Sequence, residues 1–204
     1  AGGGAAGLSL AYQLARHPRF ADGRLLIIDE EVKDRNDHTW CSWLREPEPF
    51  DDIAYRVWDR LAFIAPDFEQ TFTLAPYRYR MVRAADLYRR VRETLAPRPN
   101  VDFLLGRVER VVDGEARAEV HVNALTTTAD WVFDSRYRAS DYRPVDRRHH
   151  HLIQHFLGWE IETAAPVFNP EVPIFFDFRT PQEGAMRFVY VLPTDECQGL
   201  IEYK

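Results

Sequence analysis

The stretch AGGGAAGLSLAYQLARHPRF, residues 1–20, decides the fold class. It opens with a glycine-rich loop, and its apolar pattern predicts a helix from Leu8 to Arg16. We expect the helix to end at His17, because the residue before Pro18 is pushed out of the helical region. A loop of this kind normally follows a buried β-strand and holds a ligand at the start of its helix.

The next element strengthens this interpretation. Residues 24–30, RLLIIDE, are a short apolar run that ends in acid, which is typical of a parallel strand buried on both faces. Loop, helix, strand and acidic strand end make up most of a βαβ unit. We therefore expect that the sequence is truncated and that the first strand lay just before Ala1. The stretch FVYVLPTDECQGLIEYK, residues 188–204, stops inside a predicted strand, so we expect a second truncation there.

GGGAAG, residues 2–7, satisfies the pattern G-x-G-x-x-G and predicts a dinucleotide site. Gly2 permits the tight turn, Gly4 lets a pyrophosphate approach the backbone, and Gly7 lets the helix pack against the sheet. The helix start offers free N–H groups and positive partial charge. Asp29 ends the second strand, where a carboxylate accepts hydrogen bonds from a ribose. The alternative is a glycine-rich turn without a ligand, and the motif does not separate FAD from NAD.

Composition narrows the classes of function. The chain has 204 residues and a net charge of -6, which argues against a nucleic-acid partner. Cys41 and Cys197 stand far apart, form no CxxC pair and fit a reducing compartment. No stretch approaches the roughly 20 apolar residues of a membrane-spanning helix.

The rest of the chain is predicted to be mostly β-structure. An amphipathic helix is expected at 84–96, and 101–123 predicts strands with a hairpin at Asp113-Gly114. After Pro144, three apolar stretches are most simply interpreted as an antiparallel sheet. We expect two domains whose chain crosses between them more than once.

Three further features each have a plain explanation. NDHTWCSW, residues 36–43, is interpreted as a loop with a hydrophobic anchor. His151 and His155 have the i, i+4 spacing of two metal ligands, but no matching third ligand is evident, and we expect no metal site. Aromatic clusters such as 175–178 indicate a core, although such rings can also line an apolar tunnel and stabilise a cation.

Glu202 ends the apolar stretch GLI. Most glutamates at strand ends are simply exposed. In an apolar cavity, however, a glutamate is kept protonated by burial and is ready to act as a general acid.

Together these segments resemble one family. GGGAAG, LLIID, NDHTWCSW, VFDSR, QHFLGWEI, FFDFR with RFVYVLP, and LIEYK occur in the order found in the flavin-dependent lycopene β-cyclases of carotenoid synthesis. The resemblance spans the whole chain. NDHTWCSW, QHFLGWEI and FFDFR with RFVYVLP are its distinctive motifs, whereas the glycine loop matches flavoproteins in general.

The resemblance implies an α/β (α+β) fold. A Rossmann-like FAD-binding domain of the aromatic-hydroxylase type would be interleaved with an antiparallel β-sheet substrate domain. Residues 1–35 and 97–140 would belong to the FAD domain, with its first strand missing. Residues 36–96 and 141–204 would mainly build the substrate domain, also truncated. We expect the 204 residues alone to bind FAD poorly and to show no catalytic turnover.

The resemblance also implies a reaction. Lycopene, or a related acyclic carotenoid, is protonated at a terminal double bond, the cation closes a six-membered ring, and loss of a proton leaves a β-ring. This intramolecular lyase or isomerase chemistry requires FAD in its reduced form, with NAD(P)H as reductant, but no net redox change. The hydrocarbon substrate implies a cytoplasmic enzyme with peripheral membrane contact. Glu202 matches the family's catalytic acid, although Tyr203 stands where family members often have a second acid.

Two alternatives remain. One is a flavin monooxygenase or oxidoreductase of the same fold, which would use oxygen. The other is a non-catalytic carotenoid- or nucleotide-binding protein, which an exposed Glu202 would favour.

Overall fold

A computed structural model describes residues 1–136, 148 and 152–204 of the chain. It divides into two compact units. The first unit comprises Ala1–Thr39 and Arg83–Arg143, and the second comprises Trp40–Val82 and Pro144–Lys204.

The described residues form helices α1 (Ala5–Arg16) and α2 (Ala84–Leu95), with short 3₁₀ turns at Pro18–Phe20 and Asp51–Ile53. The strands are β1 (Leu25–Asp29), β2 (Thr39–Leu44), β3 (Arg56–Trp58), β4 (Arg60–Ala65), β5 (Phe68–Thr73), β6 (Arg78–Arg83), β7 (Val101–Leu105), β8 (Val108–Val112), β9 (Ala118–Val122), β10 (Leu125–Ala129), β11 (Leu157–Glu162), β12 (Ile174–Asp177), β13 (Val189–Pro193) and β14 (Gln198–Tyr203).

The first unit is built on the parallel pair β1–β7, with Asp29 opposite Leu105. Helix α1 packs against β1 and α2. In α2, the buried side chains Leu87, Val91 and Leu95 recur every four residues, which places them on one face of the helix. Hydrophobic burial of this stripe therefore fixes α2 in the first unit.

A three-stranded antiparallel sheet, β8–β9–β10, completes the first unit. The hairpin predicted at Asp113-Gly114 joins β8 to β9. Buried valines of β8 and β9 form a core cluster with Ile28 of β1, so this sheet and the end of β1 share a core.

The second unit contains a six-stranded sheet of order β11–β14–β13–β12–β4–β5. Its pairs are antiparallel except β12–β4, which is parallel. A second sheet has the order β2–β6–β3. An aromatic core cluster contains Trp58, Tyr79, Met81, Phe188, Tyr190 and Leu192.

The unit boundaries differ from the sequence-based division at one element. That division placed 36–96 on the substrate side, whereas α2 belongs to the first unit. The family resemblance implied that division, whereas α2 packs against α1 in the structure. The assignment of the two parts to cofactor and substrate stays a prediction.

Candidate functional site

The glycine loop depends on missing side chains at two positions. Gly2 has a φ of 96°, and its amide donates to the Ile28 carbonyl at 2.9 Å. A Cβ at Gly7 would overlap the Gly2 carbonyl oxygen. The tight turn and the close approach of α1 therefore both require glycine.

Gly4 is different, because it faces open space. It precedes the first residue of α1, and a Cβ added there would meet no other atom within 4 Å. No side chain caps the start of α1, and its first turn carries no acidic residue. The uncapped N–H groups and the free volume beside Gly4 suit a phosphate group.

Asp29 lies against this loop. Its Oδ2 accepts a hydrogen bond from the Gly3 amide at 2.5 Å, and its Oδ1 accepts one from the Glu31 amide at 2.9 Å. The carboxylate is thereby fixed at the end of β1, beside the start of α1. The structure brings together Gly2, Gly4, Gly7 and Asp29, and their role in binding a cofactor stays a prediction.

Lys33 was missed by the sequence analysis. Its Nζ lies 3.6 Å from Asp29 Oδ1 and 3.0 Å from Glu31 Oε2. Burial alone lowers the pKa of Lys33, but the Glu31 hydrogen bond and the neighbouring carboxylates outweigh burial and raise it above its ordinary value. Lys33 is therefore a fixed cation beside Asp29. A loop joins Asp29 to Lys33, where helical spacing rules do not apply, so no sequence pattern signalled this contact.

A second basic residue reaches the loop from far along the chain. Arg136 donates to Asp134 at 2.8 and 2.6 Å and to the Val108 carbonyl. This hydrogen bonding holds the pKa of Asp134 below its ordinary value. The neighbouring Ser135 amide bonds to the Ala1 carbonyl at 2.9 Å, which ties this segment to the loop.

Gly2, Asp29, Lys33 and Arg136 line a cavity of about 630 Å³ in the first unit, whereas Gly4 and Gly7 are not part of its lining. Its lining includes Gly2, Asp29, Glu30, Arg107, Val108 and Arg136. Beside the glycine backbone, the lining carries the carboxylates of Asp29, Glu30, Glu31 and Glu109 and the cationic groups of Lys33, Arg107 and Arg136. Carboxylates can bind ribose hydroxyls, and backbone N–H groups and cations can bind a pyrophosphate, so the residues present fit a dinucleotide.

Glu202 lies in the second unit, on β14. It stands opposite Tyr190 of β13 and Gly158 of β11. Its side chain is 15% exposed, and its Oε2 lies 3.0 Å from Lys204 Nζ. A Cβ at Gly158 would come within 3.3 Å of Glu202 Cγ, so glycine at this position makes room for the glutamate. Glu202 is thus largely buried, with one carboxyl oxygen within hydrogen-bond distance of the Lys204 ammonium group.

Aromatic rings cluster around Tyr190 of β13, which stands opposite Glu202. The Tyr79 and Tyr190 hydroxyls are 2.7 Å apart. Phe175 packs edge-on against both rings, at centroid distances of 5.4 and 5.6 Å. Trp43 lies 4.8 Å from Tyr79 and is 46% exposed, so it forms the open side of the cluster.

The loop predicted for NDHTWCSW, residues 36–43, is wrong from Thr39 onward, where strand β2 begins, whereas residues 36–38 lie outside helices and strands. Threonine, tryptophan and cysteine fit a pleated strand well. Cys41 of this strand hydrogen-bonds to Tyr79 and Tyr190. Burial raises the pKa values of all three groups, so the thiol and both phenols stay protonated at neutral pH.

The predicted histidine pair falls partly outside the described residues. His151 lies outside the described residues, and His155 is exposed. Across residues 1–136, 148 and 152–204, no group of three or more His, Cys, Asp or Glu side chains is arranged to hold a metal ion.

Comparison with known proteins identifies the family. The family model described as "Lycopene cyclase protein" matches residues 1–204. The chain belongs to the lycopene cyclase family. A search of curated proteins finds no match.

Solved structures share the fold of this lycopene cyclase family member. PqsL from Pseudomonas aeruginosa, a probable FAD-dependent monooxygenase, has a TM-score of 0.61 at 16% identity, covering 98% of this chain and 57% of its own. A geranylgeranyl bacteriochlorophyll reductase-like protein from Thermoplasma acidophilum has a TM-score of 0.61 at 14% identity, covering 98% and 54%. The 2,6-dihydroxypyridine-3-hydroxylase from Arthrobacter nicotinovorans has a TM-score of 0.61 at 10% identity, covering 99% and 54%.

The fold prediction is confirmed: the neighbours include monooxygenases and hydroxylases of the aromatic-hydroxylase type. The chain spans little more than half the length of these structures. Activity, substrate and partners of the whole protein are therefore a matter of proposal.

Proposed function

We propose that this chain belongs to a lycopene β-cyclase, which converts the acyclic ends of lycopene, or of a related carotenoid, to β-rings. The family match over residues 1–204 carries the proposal. Support comes from Glu202, whose largely buried carboxyl group lies on the sheet position facing Tyr190 in the aromatic cluster.

We propose FAD in its reduced form as cofactor, with NAD(P)H as reductant. Gly2, Gly4 and Gly7 would let the pyrophosphate approach the start of α1, and Asp29 would bind a ribose. When bound, reduced flavin supplies negative charge that stabilises a developing cation. The cavity beside Asp29 and Arg136 supports this assignment.

In this proposal, different side chains of the chain carry out proton transfer and stabilisation of the cation. Glu202, in its protonated form, gives its proton to a terminal double bond of the carotenoid. The resulting cation is attacked by a second double bond, which closes the ring. The Glu202 carboxylate then takes a proton from the ring, which leaves a neutral product and restores the acid. The rings of Tyr79 and Phe175 stabilise positive charge through their quadrupoles. Together with Tyr190, whose ring contacts the Lys204 ammonium group, they exclude water. No electrons are consumed.

We propose that the enzyme is cytoplasmic, which fits the free thiols of Cys41 and Cys197. We also propose that it contacts the membrane peripherally, because its substrate is a hydrocarbon. Within the described part of the chain, no helix is long and apolar enough to cross a bilayer. Support for surface contact comes from the apolar segment, defined as residues 152–159. Its exposed apolar side chains are Leu152, Ile153, Phe156, Leu157 and Trp159.

The test is pigment analysis. The complete reading frame is expressed in a bacterial host that accumulates lycopene, beside Glu202→Gln and the matched control Glu160→Gln on exposed β11. We expect β-carotene from the wild type and from the control, and unchanged lycopene from Glu202→Gln. Lycopene left untouched by a folded, flavin-loaded wild type would overturn the proposal.

A flavin monooxygenase is the second candidate, favoured by structural neighbours that are named as monooxygenase and hydroxylase. Oxygen uptake by the reduced, flavin-loaded protein separates the two activities. Uptake coupled to a hydroxylated product favours the monooxygenase, whereas cyclisation under anaerobic conditions favours the cyclase. Carotenoid bound but unchanged under both conditions would favour a binding protein.

A further inference from the structure

Lys204 follows Glu202 by two residues, so both side chains lie on the same face of the strand. Its backbone is paired with Phe188 in both directions, with each N–H···O distance 2.9 Å. The main chain at Lys204 is therefore held in the hydrogen-bond ladder of the sheet, and the sheet register determines where its side chain lies.

The Lys204 side chain is enclosed by specific partners. Its Nζ lies 4.8 Å from the ring centroid of Tyr190 and 5.3 Å from that of Phe156. The same atom lies 3.0 Å from Glu202 Oε2, and the side chain is 20% exposed. Two ring faces and one carboxylate thus surround a largely desolvated ammonium group.

Bonding to Lys204 leaves the two oxygens of Glu202 unequal. Oε2 is engaged by the ammonium group, whereas Oε1 lies 3.8 Å from the Cβ position that Gly158 leaves empty. Oε2 is held by the ammonium group, and Oε1 lies beside Gly158, where a side chain would crowd the glutamate. The carboxyl group consequently has a defined orientation.

We propose that Lys204 is a positioning residue that orients the Glu202 carboxyl group through Oε2 and stabilises the carboxylate formed when Oε1 gives up its proton. The inference rests on the proposed cyclase function and assigns a role to a residue that the sequence analysis did not use. The proton passes from Glu202 Oε1 to a terminal alkene carbon, the C=C electron pair forms the new C–H bond, and the carboxylate left behind remains paired with Lys204. A fixed charge beside an oxygen that becomes negative lowers the barrier more than it lowers the ground state.

The experiment is a double-mutant cycle in the full-length protein, with wild type, Glu202→Gln, Lys204→Met and the double variant. Lycopene turnover and thermal unfolding are both measured. Lys204→Arg retains the charge, and Arg24→Met removes a cation from the exposed Arg24–Asp102 pair in the first unit as a matched control.

We expect Lys204→Met to lower kcat about 10- to 100-fold with KM changed less than about threefold, since the interaction acts mainly in the transition state. Lys204→Arg should recover most of the activity, and Arg24→Met should behave as wild type. An unchanged kcat in Lys204→Met, or a loss carried entirely by KM, would overturn the proposal.

The unfolding measurement distinguishes failure of this inference from failure of the proposed function. If wild type does not cyclise lycopene, the cyclase proposal fails, but the contact between Lys204 and Glu202 is still tested. Melting temperatures should then change non-additively, with the double variant less affected than the sum of the single variants. Additive changes would show that Lys204 does not orient Glu202.

Discussion

Gly4 and Gly7 stand three residues apart in the same loop, but their surroundings have opposite consequences. At Gly7 a side chain would meet the Gly2 carbonyl, which belongs to the backbone and cannot rotate away. At Gly4 a side chain would enter open space, and the φ of -78° is accessible to any residue. Gly7 is therefore required by the folded loop itself, whereas Gly4 is required only if another molecule occupies that space.

This contrast predicts different results for two alanine variants. Gly4→Ala should shift the melting temperature by no more than about 3 °C but weaken FAD binding about tenfold or more, because its methyl group takes the space of a phosphate. Gly7→Ala should destabilise the protein by about 1–3 kcal/mol through overpacking. Thermal unfolding without cofactor and titration of flavin fluorescence measure the two effects. Equal FAD affinity in Gly4→Ala and wild type would contradict the phosphate assignment.

At the level of elements, sequence patterns predicted the helices, strands and turns that depend on interactions between residues close together in the sequence. The helices α1 and α2, strand β1 and the β8–β9 hairpin were all predicted from spacing and turn residues. Non-local pairing was not: β12 lies parallel to β4, with Ile174 opposite Ala62, and no short pattern encodes a partner so distant in sequence.

The same limit applies to the candidate site. Asp29 and the glycines were found because one βαβ unit carries them. Arg136 reaches the Val108 carbonyl near the loop only through the tertiary fold, so no spacing rule could have placed it there. Lys204 was within reach of sequence reasoning, because a two-residue spacing in a strand puts it on the face of Glu202.

The end of β12 offers a pH-dependent test of one element. Arg179 forms a two-pronged contact with Asp177, at 2.9 and 2.6 Å, and this hydrogen bonding lowers the pKa of Asp177 below 3.8. Because the pKa of Asp177 is lower in the folded than in the unfolded protein, its ionised form stabilises the fold at any pH above the unfolded-state pKa. This stabilisation is lost as the pH falls through the folded-state pKa. Arg179→Gln should therefore be less stable than wild type at about pH 7, and the difference should shrink as the pH falls below about 4.

Thermal unfolding across this pH range measures the effect, and Asp177→Asn provides the control. In the Asp177→Asn background, Arg179→Gln should have no comparable pH dependence, because the titrating partner is absent. A stability difference between Arg179→Gln and wild type that stays constant from about pH 7 to about pH 2 would contradict the assignment.

At the scale of the molecule, the two compact units are each assembled from two separated parts of the chain. The groups suited to a dinucleotide lie in the first unit, and Glu202 with its aromatic cluster lies in the second. In the proposed cyclase, the first unit would bind the cofactor and the second unit would enclose the apolar substrate. Such a substrate must be taken from a lipid phase, which directs attention to the apolar segment at 152–159.

Leu152 and Ile153 are 88% and 75% exposed, so replacing them should not disturb the core. With a net charge of -6, electrostatics should not attract the protein to anionic lipid, and apolar burial must supply the binding energy. Each of these side chains contributes about 1.5–3 kcal/mol when fully buried. The double variant Leu152→Glu/Ile153→Glu should therefore bind phosphatidylcholine vesicles at least about tenfold more weakly in a flotation assay.

The matched control is Leu125→Glu, which alters a side chain that is 68% exposed in the first unit and should leave flotation unchanged. Turnover then separates membrane contact from chemistry. The double variant should lose activity toward lycopene embedded in vesicles but keep activity toward lycopene in detergent micelles, because only delivery depends on the surface. Equal flotation of wild type and double variant would remove residues 152–153 from the membrane contact, while equal loss of activity in vesicles and micelles would indicate that the substitutions damage the enzyme itself.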